Sequence, residues 1–223
     1  MSREIEDLLT RRQFVAGLGS AMVLAGGGVR SLAQTQFTGE TALRELMAGN
    51  ERFVGKKLTS FDLDLKILKE QTVSKQEPFA AVLSCADSRV PVELIFDQSI
   101  GHLFVTRVAG NMMTPEIAAS LEYGVAVLGV KAILVMGHSN CGAISAALHA
   151  KEVPGQISVL YQHLMPGIKD AHDDVALGVR LNAAYQTKLL RDSSTVIAKA
   201  ITENGLKVVG GSYDLGTGRV TLV

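Results

Sequence analysis

Three short apolar runs, at residues 79–84, 103–108 and 132–136, constrain this chain more than anything else in it. None shows the polar alternation of a strand with one wet face, so each predicts a strand buried on both faces. The stretches around them have helical character. Residues 116–128 are rich in alanine, and 156–201 read as mainly helical with loops at Pro166 and at 192–194. Buried strands alternating with helices predict an α/β domain, a mostly parallel central sheet flanked by helices. Two closing strands are expected at 206–213 and 219–222, joined by a turn at 214–218. Ahead of the sheet, Leu43, Leu46 and Met47 recur at helical spacing, with a helix break expected at Gly49-Asn50 and a further helix over 65–73.

The polar residues that cut these runs short carry the chemistry. In parallel α/β sheets, functional groups collect beyond the carboxyl ends of the strands. The first run stops at Cys85-Ala86-Asp87-Ser88-Arg89, and the third leads through Gly137 into His138-Ser139-Asn140-Cys141. These are the two cysteines of the sequence. Two thiolates and an imidazole hold a zinc ion with one coordination position open, the layout of a catalytic rather than a structural site. A buried cysteine is also a common small hydrophobe, and two cysteines in an exported protein commonly pair. Neither alternative explains why Asp, Arg, Asn and His gather around both thiols.

Charge and length narrow the reading further. With 22 basic and 22 acidic side chains in 223 residues, the chain gives no support for nucleic-acid binding. The length suits one globular domain. The first 33 residues are expected to stand apart from it. Thr10-Arg11-Arg12-Gln13-Phe14-Val15 is a twin-arginine pattern, leading into an uncharged Gly- and Ala-rich stretch and a small-residue cleavage site at Ser31-Leu32-Ala33. That stretch is too short and too glycine-rich for a stable membrane anchor, which needs about 20 strongly apolar residues. A signal peptide over 1–33 and a catalytic domain over 34–223 are therefore expected. The partner implied is the twin-arginine export machinery, and the destination is the periplasm, or the thylakoid lumen in a photosynthetic host. Because this route carries folded proteins, zinc could be loaded before export.

Cys85-Ala-Asp-Ser-Arg-Val90 together with Gly137-His-Ser-Asn-Cys-Gly142 resembles the zinc-site signature of the β-class carbonic anhydrases. The resemblance covers nearly all of the mature chain. It includes 49–53 (GNERF), 104–111 (FVTRVAGN), 121–123 (LEY) and 209–215 (VGGSYDL). It implies an N-terminal helical arm on the α/β sheet and one zinc per chain, held by Cys85, His138 and Cys141. Asp87 and Arg89 are then catalytic: when Arg89 holds the Asp87 carboxylate aside, water takes the open position, and when the pair breaks Asp87 can close the site. Gln76, Phe104, Tyr123 and the backbone N–H of Gly142 match substrate-binding groups, partly contributed across a subunit interface. The implied partners are carbon dioxide and bicarbonate, and a second copy of the chain in a homodimer or dimer of dimers.

The implied reaction is reversible hydration of carbon dioxide by attack of zinc-bound hydroxide. Two thiolates offset the charge of the ion and weaken it as a Lewis acid, so turnover is expected to rise on the alkaline side. His102 and His149 are candidate proton relays. His102 and Val108 depart from the residues many relatives carry. The chain has no tryptophan, so the allosteric bicarbonate pocket of one subgroup is not expected. Two other readings share the motifs: hydrolysis of carbonyl sulfide or carbon disulfide on the same scaffold, and a non-catalytic zinc-binding protein with Asp87 on the metal.

Overall fold

The computed structural model describes residues 36–60 and 75–223; the leader-like segment 1–33 and the helix expected over 65–73 lie outside them. Five strands form one sheet in the order β2-β1-β3-β4-β5. They are β1 (Ala80–Ser84), β2 (Leu103–Arg107), β3 (Ala132–His138), β4 (Lys207–Tyr213) and β5 (Val220–Leu222). The first four are parallel, and β5 returns antiparallel along β4 after the turn at 214–218. Among the described residues no helix is long and apolar enough to cross a membrane.

The runs of β1 and β3 are buried on both faces, as expected, whereas β2, an edge strand of the sheet, is only partly covered and ends at an exposed Arg107. Along β1, Ala80 and Val82 join one core with Leu134 and Met136 of β3, while Ala81 and Leu83 join another with Ile133 and Val135. Helix α1 (Gly39–Val54) and the short α2 (Val92–Ile95) cover the first face. On the second lie α3 (Pro115–Ala126), α6 (Val175–Ser193) and α7 (Thr195–Asn204). Two further helices, α4 (Gly142–Leu148) and α5 (Val159–Ile168), close a third apolar cluster around both cysteines.

Two local expectations fail, each because packing overrides a sequence signal. Helix α1 starts at a Thr38–Thr41 capping box and runs straight through Gly49 and Asn50. Gly49 is there for contact rather than termination: a Cβ at this position would lie 1.8 Å from the Phe96 carbonyl oxygen. The Asn50 amide does not cap its own helix. It donates to the carbonyls of Ile95 (3.2 Å) and Gly218 (2.9 Å) and accepts from Val220 N–H (2.8 Å). Likewise Pro166 lies inside α5 rather than in a loop. It cannot donate to the Gln162 carbonyl, yet the helix continues where Gly167 presses on Tyr185 of α6, a Cβ there lying 3.0 Å from the Tyr185 Cβ. The chain turns only at Lys169–Ala171 and His172, whose φ is 50°.

Candidate metal centre

Strand register explains how residues fifty positions apart meet. β1 and β3 are adjacent and parallel, with Ser84 opposite Met136. Cys85, next along the chain, therefore leaves β1 level with the last residues of β3, where His138 stands. Neighbouring strands lie about 4.8 Å apart, close enough for side chains at one edge to share an ion. Beyond His138 the chain reverses through Asn140, whose φ of 54° is a left-handed conformation that asparagine tolerates well. Cys141 then stands at the N-cap of α4 and comes back over the strand ends. Both sulfurs and a ring nitrogen of His138 lie within 4.8 Å of one another, all three residues are buried, and both thiols are free.

The donor set fits a zinc ion. His138 Nδ1 lies 3.0 Å from the Ser139 carbonyl oxygen, a partner that requires the proton on Nδ1 and leaves the Nε2 lone pair free. His138 Nε2 is buried with no hydrogen-bond partner. A bare polar atom facing two sulfurs is costly unless a cation occupies the space between them. Two sulfurs and one imidazole match the ligands zinc takes, and three protein ligands leave one position of a tetrahedron open. The sulfurs also polarise each other: the Cys141 thiol beside it pulls the Cys85 thiol down to about 4, while Cys85 in turn pushes Cys141 up.

Asp87 sits at the rim. Arg89 grips its carboxylate through Nε to Oδ1 (2.9 Å) and Nη2 to Oδ2 (2.7 Å), and the Arg89 backbone N–H adds a third bond to Oδ1 (2.9 Å). The Arg89 guanidinium holds the carboxyl well below the usual carboxylate range, outweighing the opposing effect of burial. Oδ2 lies 3.7 Å from His138 Nε2, so the carboxylate borders the metal position while its hydrogen bonds turn towards arginine. Arg107, at the end of β2, clamps the loop from the side, donating to the carbonyls of Cys85 (3.0 Å) and Asp87 (2.5 Å).

The remaining candidate residues are spread more widely. Gly142 follows Cys141 as the first residue of α4, and the space where its Cβ would stand is open to 4 Å. Phe104 lies on β2, an edge strand of the sheet among the described residues, and its ring meets that of Tyr123 on α3 at 6.2 Å between centroids. Tyr123 is 48% exposed. Gln76 is exposed in the segment before β1. His102 precedes β2 at the amino end of the sheet, roughly 15 Å along the strands from the edge that carries Cys85. His149 caps the far end of α4, with Nδ1 2.6 Å from the Ser145 carbonyl oxygen.

Four residues to which the sequence analysis assigns no role support the centre: Arg107 and Gly110 bond Cys85 or the loop it begins, Asn182 bonds Gly110, and Gln186 bonds Asn182. Gly110 N–H donates to Cys85 Sγ (3.3 Å), and the two α6 amides stand behind it. A signal was available for the amides: the buried positions of α6 are Gly178, Val179, Asn182, Ala183, Gln186, Thr187 and Leu190, so two amides and a threonine interrupt an otherwise small or apolar face.

Comparison with known proteins agrees with this geometry. The profile of the family described as carbonic anhydrase matches residues 80–220. Carbonic anhydrase 2 of Mycobacterium tuberculosis is 34% identical over 191 residues, covering 81% of this chain and 91% of that protein. A carbonic anhydrase of Pseudomonas aeruginosa is 32% identical over 168 residues, covering 69% and 76%. Among solved structures, a tetrameric β-carbonic anhydrase of Sordaria macrospora superposes with a TM-score of 0.65 at 26% identity, covering 82% of this chain and 97% of that one.

Proposed function

The chain belongs to the β-class carbonic anhydrase family, a family of zinc enzymes, and on that premise we propose a division of labour for reversible hydration of carbon dioxide. Cys85, His138 and Cys141 hold the metal, Asp87 manages the reacting water, and Arg89 keeps Asp87 off the metal. The observation that carries this reading is the two-pronged Arg89 grip on the Asp87 carboxylate. It leaves the fourth metal position to water, and a permanently closed zinc-storage site would have no use for it.

When bound, zinc supplies the Lewis acidity that activates water, weakened here by two thiolates. The protein groups do the rest. Asp87 Oδ2 accepts a hydrogen bond from the reacting water and so orients its attacking lone pair. Arg89 keeps that carboxylate charged and fixed. The Gly142 N–H, at the start of α4, meets an oxygen of the substrate. Phe104 and Tyr123 form an aromatic wall across the β2 edge and Gln76 hydrogen-bonds bicarbonate, in a homodimer or dimer of dimers; the exposure of Tyr123 beside an edge strand supports that arrangement. Residues 1–33 act as a twin-arginine signal peptide delivering residues 34–223 to the periplasm, supported by the Arg11-Arg12 pattern.

The test is stopped-flow hydration of carbon dioxide by zinc-verified protein beginning at Gln34, from neutral to alkaline pH. A rate that climbs with pH is expected. A rate flat across that range, or absent with one zinc bound per chain, would overturn the assignment. Carbonyl sulfide hydrolysis, assayed on the same sample, would then separate a different substrate from a shut site.

A further inference from the structure

A continuous line of buried amides runs from α5 to the Cys85 sulfur. Gln186 Nε2 donates to the His163 carbonyl (2.9 Å) and to Asn182 Oδ1 (3.1 Å), while Gln186 Oε1 accepts from Met113 N–H (2.8 Å). Asn182 Nδ2 donates to the Gly110 carbonyl (2.9 Å), and Gly110 N–H donates to Cys85 Sγ (3.3 Å). Asn182 and Gln186 are both 0% exposed. Burying two amides on a helix is costly unless each polar atom is used, and here they are spent on the 110–113 segment and on α5.

Gly110 is the joint that needs holding. Its φ is 73°, and a Cβ there would stand 2.9 Å from a Leu164 methyl group, so glycine is required by both conformation and space. Glycine is also the residue least able to hold one conformation by itself. The grip of Asn182 on its carbonyl fixes the residue, and so aims its N–H at sulfur. A hydrogen bond to a thiolate draws charge away from the sulfur, and groups behind the ligands tune a metal in this way.

We propose that Asn182, set by Gln186, is a positioning residue for the metal centre: through Gly110 it maintains the N–H···S bond at Cys85 and limits the charge that this thiolate donates to the metal. The inference rests on Cys85 being a zinc ligand. Carbon dioxide need not be the substrate for it to hold.

The experiment uses the cobalt(II)-substituted protein and reads the thiolate-to-cobalt charge-transfer absorption. Asn182→Leu removes the contact at similar volume, and Asn182→Ser is the second variant should leucine prevent folding. Thr187→Val is the control. Thr187 is buried one residue beyond Gln186 but bonds only the Ala183 carbonyl within α6, outside the amide line. Expected is a shift of the band to longer wavelength in either Asn182 variant, with a roughly tenfold or greater loss of hydration rate and no band shift in Thr187→Val. A folded Asn182 variant whose band stays in place would overturn the proposal, as would an equal shift in Thr187→Val. Absence of any thiolate band in the cobalt(II) protein of parent sequence would instead remove both cysteines, Cys85 included, as ligands, an outcome distinct from failure of the relay.

Discussion

Two aspartate–arginine pairs, ten residues apart in their carboxylates, have opposite characters. Asp97 has no exposed side-chain surface. Its Oδ1 accepts from the N–H groups of Thr59 (2.9 Å) and Ser60 (3.0 Å), and its Oδ2 from Arg52 Nε (2.5 Å) and Thr59 Oγ1 (2.8 Å). A carboxylate has about four lone-pair sites, and four donors use them. Asp87 takes all three of its hydrogen bonds from Arg89, two residues away, and Arg89 is half exposed. One direction of Asp87 stays open towards the metal position. The first pair ties segments distant in sequence and has nothing left to offer a ligand. The second is made between neighbours in one loop, with a single long contact from Arg89 Nη2 to the Asn140 carbonyl (3.5 Å), and its carboxylate keeps a side free for chemistry.

That contrast breaks most visibly at Asp87. Asp87→Asn should lower hydration by about 10²-fold or more, the usual scale for a lost proton-handling group, with the thermal midpoint and zinc content unchanged. Retained activity in this variant would place Asp87 with Asp97 as a structural carboxylate. The converse holds for Asp97→Ala, which leaves the Thr59 and Ser60 N–H groups without their acceptor and Arg52 with Glu45 alone, and should cost about 3–5 kcal/mol. In a domain of this size that lowers the midpoint by roughly 10 °C, and folded protein should still turn over at the normal rate per zinc. Arg89→Lys sharpens the comparison. Lysine keeps the charge but loses the fork, so activity should fall by roughly tenfold while the midpoint stays put.

The smallest expected effect is in pH dependence. Burial pushes the Asp97 carboxyl up, but Arg52 and the Thr59 and Ser60 donors outweigh it and leave it below its ordinary value of 3.8. A depressed carboxyl stabilises the fold above its unfolded-state value and loses that contribution as pH falls through the folded one. The stability gap between the parent and Asp97→Ala should thus be constant from neutral pH to about 5 and shrink below about 4. Chemical denaturation at stepped pH measures it, and a gap that widened on acidification would contradict the direction assigned to Asp97.

The sheet and the metal cluster were legible because both depend on short-range signals. Unbroken apolar runs mark doubly covered strands, and a run ending at Cys85 or Gly137-His138 shows where side chains leave the sheet. Tertiary contacts hid the rest. Gly49-Asn50 looks like a stop to any local rule, and only Phe96 and Val220 make it continuous helix. Asn182 looks like one polar residue on a helix until Gly110 is brought beneath it by a fold spanning 72 positions. Arg107 gave no clue to its duty because its acceptors are main-chain carbonyls, which have no sequence signature.

The Asn50 contacts also bear on how the protein is made. This one amide fastens the first described helix to Gly218 and Val220, 168 and 170 positions further along the chain. During synthesis the amino-terminal part emerges first and domains fold as units, but here α1 cannot gain this fastening until the chain has been made 170 positions further, to Val220. The first described helix is therefore secured only once β5 is in place, and loss of β5 would take the Asn50 fastening of α1 with it.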